Sequence, residues 1–168
     1  MLLSQLLKNC RKNMKLIFLD FDGVLNSLTY ARSYVQQGDC CMSRDLDPVA
    51  VDRLKQIMSA TGAKIVVSSS WRIVRTLPEL QDILGAFGID RQDVLGVTPR
   101  MVSRGEEVAA YLDMWPLMDK PIESFVVIDD DSDFLEIPPK NFVKTSWKDG
   151  LLKSHIPKII DILGVKDA

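Results

Sequence analysis

The chain has little with which to build a soft-metal or redox site: one histidine and three cysteines in 168 residues. Cys40 and Cys41 are adjacent, Cys10 is distant and no CxxC pair accompanies them. Neither a disulfide framework nor a zinc cluster is expected, and a reduced, cytoplasmic setting is. A dominant charge is lacking too. Lys and Arg number 21 against 23 for Asp and Glu, a net charge of −2, which argues against a large nucleic-acid footprint although a local basic patch can coexist with it. No long apolar run occurs: the opening MLLSQLL is interrupted by Ser4 and Gln5, followed by Lys8, and has no small-residue cleavage signal. It reads neither as a secretion signal nor as a membrane span. Residues 1–13 are expected to form an amphipathic helical extension, with Met14 a second candidate start. Repeats, low-complexity tracts and linkers are absent, and 46% hydrophobic residues predict one soluble domain over 1–168 with a substantial core.

What is present is an alternation of two periodicities. Short apolar runs bounded by turn residues at 16–19, 65–67, 94–97, 125–128 and 142–143 predict strands. Between them, Asp47 and Pro48 form an N-cap and first turn, Ala50, Leu54, Ile57 and Met58 recur at helical spacing, and Gly62 supplies a stop. A second helix is predicted over 78–87, with Leu80, Ile83, Leu84 and Phe87 on one face and Gly88 ending it. A third opens on the capping box Ser103-x-x-Glu106 and turns Val108, Leu112 and Trp115 inward. The last covers 156–163 and ends at Gly164, while 27–46 reads as a loop. Strand alternating with helix implies an α/β, three-layer, Rossmann-like fold: a mostly parallel sheet of about five strands flanked by helices. In such sheets ligands bind beyond the carboxyl ends of the strands.

The acidic residues fall there. Asp20 and Asp22 end the first apolar run, and Asp129, Asp130, Asp131 and Asp133 end the fourth. Side chains two apart on a strand point the same way, so Asp20 and Asp22 can share a site. Acids at strand ends are commonly turn formers or helix caps, but two such clusters on one sheet edge favour a shared purpose. Converging carboxylates repel unless a cation joins them, and oxygen-only ligands suit a hard divalent ion such as Mg²⁺, which typically adds a substrate phosphate.

The segments FLDFDGVLN, VVSSSWR, SRGEEV and VVIDDDSDF, in that order, resemble the four motifs of the haloacid dehalogenase (HAD) superfamily of phosphohydrolases. The forms SSSWR and RGEEV, with KTSWKDGL near the end, further resemble the HAD domains of "Swiss Army Knife" RNA-repair proteins. The resemblance implies a HAD-like domain in which Asp20 attacks phosphorus and Asp22 serves as general acid and then base; many relatives add a cap domain, for which the stretches 27–46 and 71–103 are too short. It implies Mg²⁺ held by the Asp20 carboxylate, the Asp22 backbone carbonyl and Asp130, with Asp129 and Asp133 as supporting candidates and Asp131 facing solvent. Ser68, or Ser69 in its place, would donate to a phosphoryl oxygen, and Ser70 would cap the following turn. Arg104 matches the third motif, where lysine is commoner, and arginine also binds phosphate, bidentately. Arg100 is the weaker alternative, and Lys120 falls at the wrong end of the sheet.

Trp71 reads as packing or base stacking, Arg72 and Arg75 as anion contacts or solvated side chains, and His155 as structural. Tyr30, Arg32 and Tyr34 read as the lining of an open entrance or as ordinary loop residues, and an open site suits an exposed phosphoester such as a nucleic-acid end or phosphoprotein. A phosphohydrolase is thus expected, a polynucleotide-end 3′-phosphatase being one alternative and a non-catalytic phosphate-binding module another. Intact Asp20 and Asp22 weigh against the last.

Overall fold

A computed structural model describes residues 13–36, 46–114 and 121–166. The elements run β1 (Met14–Leu19), α1 (Leu28–Gln36), α2 (Pro48–Thr61), β2 (Lys64–Val67), α3 (Leu77–Gly85), β3 (Val94–Val97), α4 (Arg104–Met114), β4 (Ile122–Asp129), β5 (Phe142–Lys144) and α5 (His155–Leu163). All five expected strands form, in one sheet of order β3-β2-β1-β4-β5, and every pairing is parallel. A parallel sheet covered on both faces needs nearly continuous apolar strands, and Leu16 to Leu19, Ile65 to Val67 and Val126 to Ile128 are fully buried.

Alternation sorts those side chains between two cores. Ile17, Leu19, Ile65, Val67, Val126 and Ile128 pack with residues of α2, α3 and α5. Leu16, Phe18, Val66 and Val127 face the other way, toward Val108 and Tyr111 of α4 and toward Phe134 and Ile137 beyond β4. Phe18 meets the ring edges of Tyr111 and Phe125 at 5.6 and 6.0 Å, geometry in which a positive ring edge faces a negative ring face.

The helix boundaries follow the expected chemistry in most places. Asp47 accepts from the Val49 N–H at the head of α2, and the Gly62 N–H closes on the Met58 carbonyl at its end. The Ser103 and Glu106 box is reciprocal, Glu106 N–H to Ser103 Oγ at 3.1 Å and Ser103 N–H to Glu106 Oε2 at 3.3 Å. In α3 the start lies earlier than the apolar pattern shows, because Thr76 and Glu79 form a second capping box. The stretch after Ser27 is not all loop. Leu28–Gln36 is helical, its first N–H groups satisfied from afar by the carbonyls of Trp147 and Lys148 at 3.0 and 2.9 Å. The N-terminal extension, Cys10, Cys40, Cys41, Trp115 and Lys120 lie outside the described residues.

Candidate active site

The sheet register assembles the site. Leu19 pairs with Val67 on one side and with Ile128 on the other, and Val67 pairs with Val97. The residue after each of these partners therefore forms a row across four strands: Thr98, Ser68, Asp20 and Asp129. Backbone bonds continue the ladder through the row, with Asp20 N–H to Ile128 O at 3.1 Å, Ser68 N–H to Leu19 O at 2.9 Å and Thr98 N–H to Val67 O at 3.0 Å. By alternation the row shares the face of Leu16, Phe18 and Val127, the face α4 covers. Arg104, the first residue of α4, is thereby delivered onto the acids.

There its Nη1 lies 3.1 Å from Asp20 Oδ2 and pairs with Asp129 Oδ2. Asp20, Asp129 and Asp130 bring carboxylate oxygens within 4.8 Å of one another. Gly23 makes room for the third of these acids. Its φ is +72°, and a Cβ there would stand 2.3 Å from the Asp130 carboxyl. Gly105 does the same for the segment after β4, its N–H bonding the Asp133 carbonyl at 2.9 Å.

Asp22 is held apart. The strand ends at Leu19, so the two-residue alternation does not carry on to Asp22, which sits in the exposed turn bridged to Asn26. Its carboxylate accepts from the Trp71 indole N–H at 2.9 Å and from Asn26 Nδ2 at 2.9 Å. It remains near enough for its charge to raise the pKa of Asp20. Trp71 is packed as well as polar, its ring edge-on to Phe21 at 5.1 Å and overlaid by Arg75 at 5.3 Å.

The serines divide their work. Ser69 rather than Ser70 caps the turn Ser70–Ile73, accepting from the Trp71 N–H, and its hydroxyl stabilises the Asp20 carboxylate. Ser68 Oγ is buried with no hydrogen-bond partner among the described residues, as is Thr98 Oγ1 in the same row, and most buried polar groups are paired. Asp131, Asp133, Arg75 and Arg100 are exposed and outside the carboxylate group. Thr145 at the end of β5 bonds the Gly23 carbonyl at 2.8 Å. His155 accepts from the Leu152 N–H at the start of α5, a structural role, and Arg32 is exposed on α1. Sequence patterns did not reveal Asp22 to Trp71, or the ion pair between Arg72 and Glu107, since both join segments far apart in the chain.

Burial dominates the electrostatics. It pushes the Asp20 and Asp130 carboxyls above their usual range, against the opposing charge of Arg104. Asp129 is pushed up to about 7 by burial and then by the Asp20 charge, Arg104 again opposing. For Arg104, burial works against the guanidinium, but Asp20 and Asp129 outweigh it and hold its pKa up. One guanidinium against three carboxylates leaves the site negative, and the donor set is oxygen throughout. These residues fit a hard divalent cation.

A consequence can be measured without metal. The folded state keeps the Asp129 proton up to about pH 7, whereas an unfolded aspartate releases it near pH ~4. This group's contribution is therefore complete below pH ~4 and is lost as pH rises toward 7, by about a few kcal/mol. In chelator, wild-type stability toward urea is expected to fall from pH 5 to pH 8 more steeply than that of Asp129→Asn. Equal slopes would remove Asp129 as the source.

Among the described residues, no helix is long and apolar enough to cross a membrane. Comparison with curated proteins and with solved structures gives no match. A family model described as "HAD domain in Swiss Army Knife RNA repair proteins" matches residues 16–156, a span that contains β2 to β5, β1 from Leu16 onward, Arg104 and the whole row of strand-end residues. On that match and this architecture, the chain belongs to the haloacid dehalogenase (HAD) superfamily, in the family of HAD domains of Swiss Army Knife RNA repair proteins.

Proposed function

We propose that the protein is a Mg²⁺-dependent phosphomonoesterase that works through an aspartyl-phosphate on Asp20. The observation that carries this reading is the convergence of Asp20, Asp129 and Asp130 around Arg104, beside a buried hydroxyl, Ser68, that has no partner among the described residues. The carboxylates of Asp20 and Asp130 and the backbone carbonyl of Asp22 would hold Mg²⁺, with Asp129 beside them. When bound, the ion supplies charge neutralisation for the incoming phosphate.

The chain's own residues supply the rest. An oxygen of Asp20 attacks phosphorus as the ester P–O bond breaks, and Asp22 gives its proton to the departing oxygen. Water then attacks phosphorus, Asp22 takes its proton, and the bond to Asp20 breaks, releasing phosphate. Arg104 stands beside the attacking carboxylate, where negative charge gathers on the phosphoryl oxygens, and Ser68 donates to one of them. Trp71 and Asn26 hold Asp22 at the mouth of the site.

An aryl phosphate is expected to be hydrolysed in Mg²⁺, to persist in excess chelator, and to be hydrolysed again when Mg²⁺ is restored. Turnover that survives chelation would remove the metal from the mechanism.

A second reading, a polynucleotide-end 3′-phosphatase, is favoured by the rim. Val74, Val102, Leu135 and Trp147, on the loops after β2, β3, β4 and β5, are 81%, 96%, 91% and 62% exposed, and an exposed indole can stack on a base. A 3′-phosphorylated oligonucleotide would then lose its terminal phosphate faster than a mononucleotide does, with an advantage that shrinks as salt rises. Equal rates at every salt concentration would leave the general phosphomonoesterase.

A further inference from the structure

We propose that the buried ion pair of Arg72 and Glu107 is a positioning clamp for the phosphoryl-binding groups, setting Arg104 and the Ser68 hydroxyl at a fixed separation. This rests on the phosphohydrolase reading of the same site.

Arg72 leaves the short turn that follows β2, and its side chain is 6% exposed, that of Glu107 10%. Nη2 lies 2.5 Å from Glu107 Oε2, a close charge contact outside hydrogen-bond geometry, and Glu107 Oε1 accepts from the Met101 N–H at 3.4 Å. The other guanidinium contacts go to carbonyls: Nε to Thr98 at 3.1 Å, and Nη1 to Ser68 at 3.2 Å and to Ser69 at 2.6 Å. All three carbonyls belong to the ends of β2 and β3, on the edge that carries the acids. Arginine can do this because its planar fork presents five donors in fixed directions.

The other half of the pair determines what is clamped. Glu107 lies one turn beyond Arg104 on α4, and positions three apart on a helix share a face. Arg104 itself reaches back to the Ser68 carbonyl at 3.5 Å. The contacts close a ring from Arg72 to Glu107, along α4 to Arg104, across to Ser68 and back to Arg72. Moving α4 against β2 would strain every link. Packing alone gives no reason for this arrangement, because apolar side chains of similar volume usually serve a core as well as a buried ion pair does, or better. What the pair adds is a charge contact that ties α4 to Arg72, whose own direction is set by its bonds to the three carbonyls.

The test separates packing from position. In Arg72→Met with Glu107→Leu no buried charge is left unpaired, and although the carbonyls of Thr98, Ser68 and Ser69 lose a donor and the thermal midpoint drops, the protein is expected to fold. Its kcat on an aryl phosphate should nevertheless fall about 100-fold, the scale of a misplacement near 1 Å. Its affinity for inorganic phosphate in Mg²⁺, measured by calorimetry, should fall in parallel. A folded double variant with wild-type kcat and phosphate affinity would overturn the clamp. Should that variant not fold, Arg72→Lys decides. It keeps the charge but not the fork, and a folded protein with reduced kcat supports the clamp, whereas unchanged kcat overturns it. If wild-type protein hydrolyses no phosphoester, the phosphohydrolase reading fails by itself, and phosphate affinity in the same variants then decides the clamp, equal affinities sinking it.

Discussion

Asp20→Asn is expected to abolish turnover, by about 10⁴-fold or more, the order seen when a nucleophile is removed, without lowering the melting temperature of the metal-free protein. The amide matches the carboxylate in size and can still accept from the Phe21 N–H, a bond of 2.8 Å. What it lacks is the nucleophilic oxygen, and no other carboxylate occupies that place in the row. Stability should move the other way from activity. Burial already penalises the Asp20 charge and neighbouring Asp22 adds to the penalty, so a neutral amide relieves repulsion, while Arg104 retains Asp129 as a partner. Hydrolysis of an aryl phosphate and a thermal melt in chelator, on the same preparation, check both halves. Activity within tenfold of wild type would dismiss Asp20 as the nucleophile.

Gly23→Ala should lose both metal affinity and stability. At φ +72° an L residue costs roughly 1–2 kcal/mol, and the new Cβ would sit 2.3 Å from Asp130 Cγ and 2.8 Å from its Cβ. The turn cannot yield freely, because Thr145 holds the Gly23 carbonyl. Asp130 must therefore leave the carboxylate group, and Mg²⁺ affinity is expected to fall about 10-fold to 100-fold, as when the support of a metal ligand is lost. Gly85→Ala is the control. An added Cβ there meets nothing within 4 Å, and in helix α3 alanine should be neutral or stabilising by up to about 1 kcal/mol. Calorimetric titration with Mg²⁺ and urea denaturation in chelator measure the two effects. Wild-type affinity in Gly23→Ala would mean that Asp130 is not needed for the ion.

Features of the sequence that act locally could be read directly. Short apolar runs identified the strands, Asp47 and the Ser103 to Glu106 box marked helix starts, and acids at two strand ends marked the edge where the carboxylates converge. Features that depend on distant partners could not. Helix α1 has no acidic residue in its first turn and no basic one in its last. Its local cap is a single serine, Ser27, whose Oγ accepts from the Tyr30 N–H, and its first two N–H groups go to carbonyls of Trp147 and Lys148, which no local window contains. Alternation placed Asp22 beside Asp20, but the strand stops at Leu19 and Trp71 draws the Asp22 carboxylate to its indole. Two adjacent acids, Asp129 and Asp130, both join the carboxylate group, because the strand end lets one point from the last pleat and the other from the turn. Arg72 reads as a solvated helix cation until the fold brings Glu107 to it.

The central place of β1 in the strand order has a kinetic corollary. Leu19 must find both Val67 and Ile128, so the middle of the sheet is closed by contacts of high sequence separation, the kind that slow a folding reaction. A chain still on the ribosome that has made β1, β2 and β3 has Asp20 and Ser68 in hand but not yet Asp129 or Asp130. On the phosphohydrolase reading the carboxylate group is incomplete until β4 docks, and uptake of a divalent cation during refolding would time that docking.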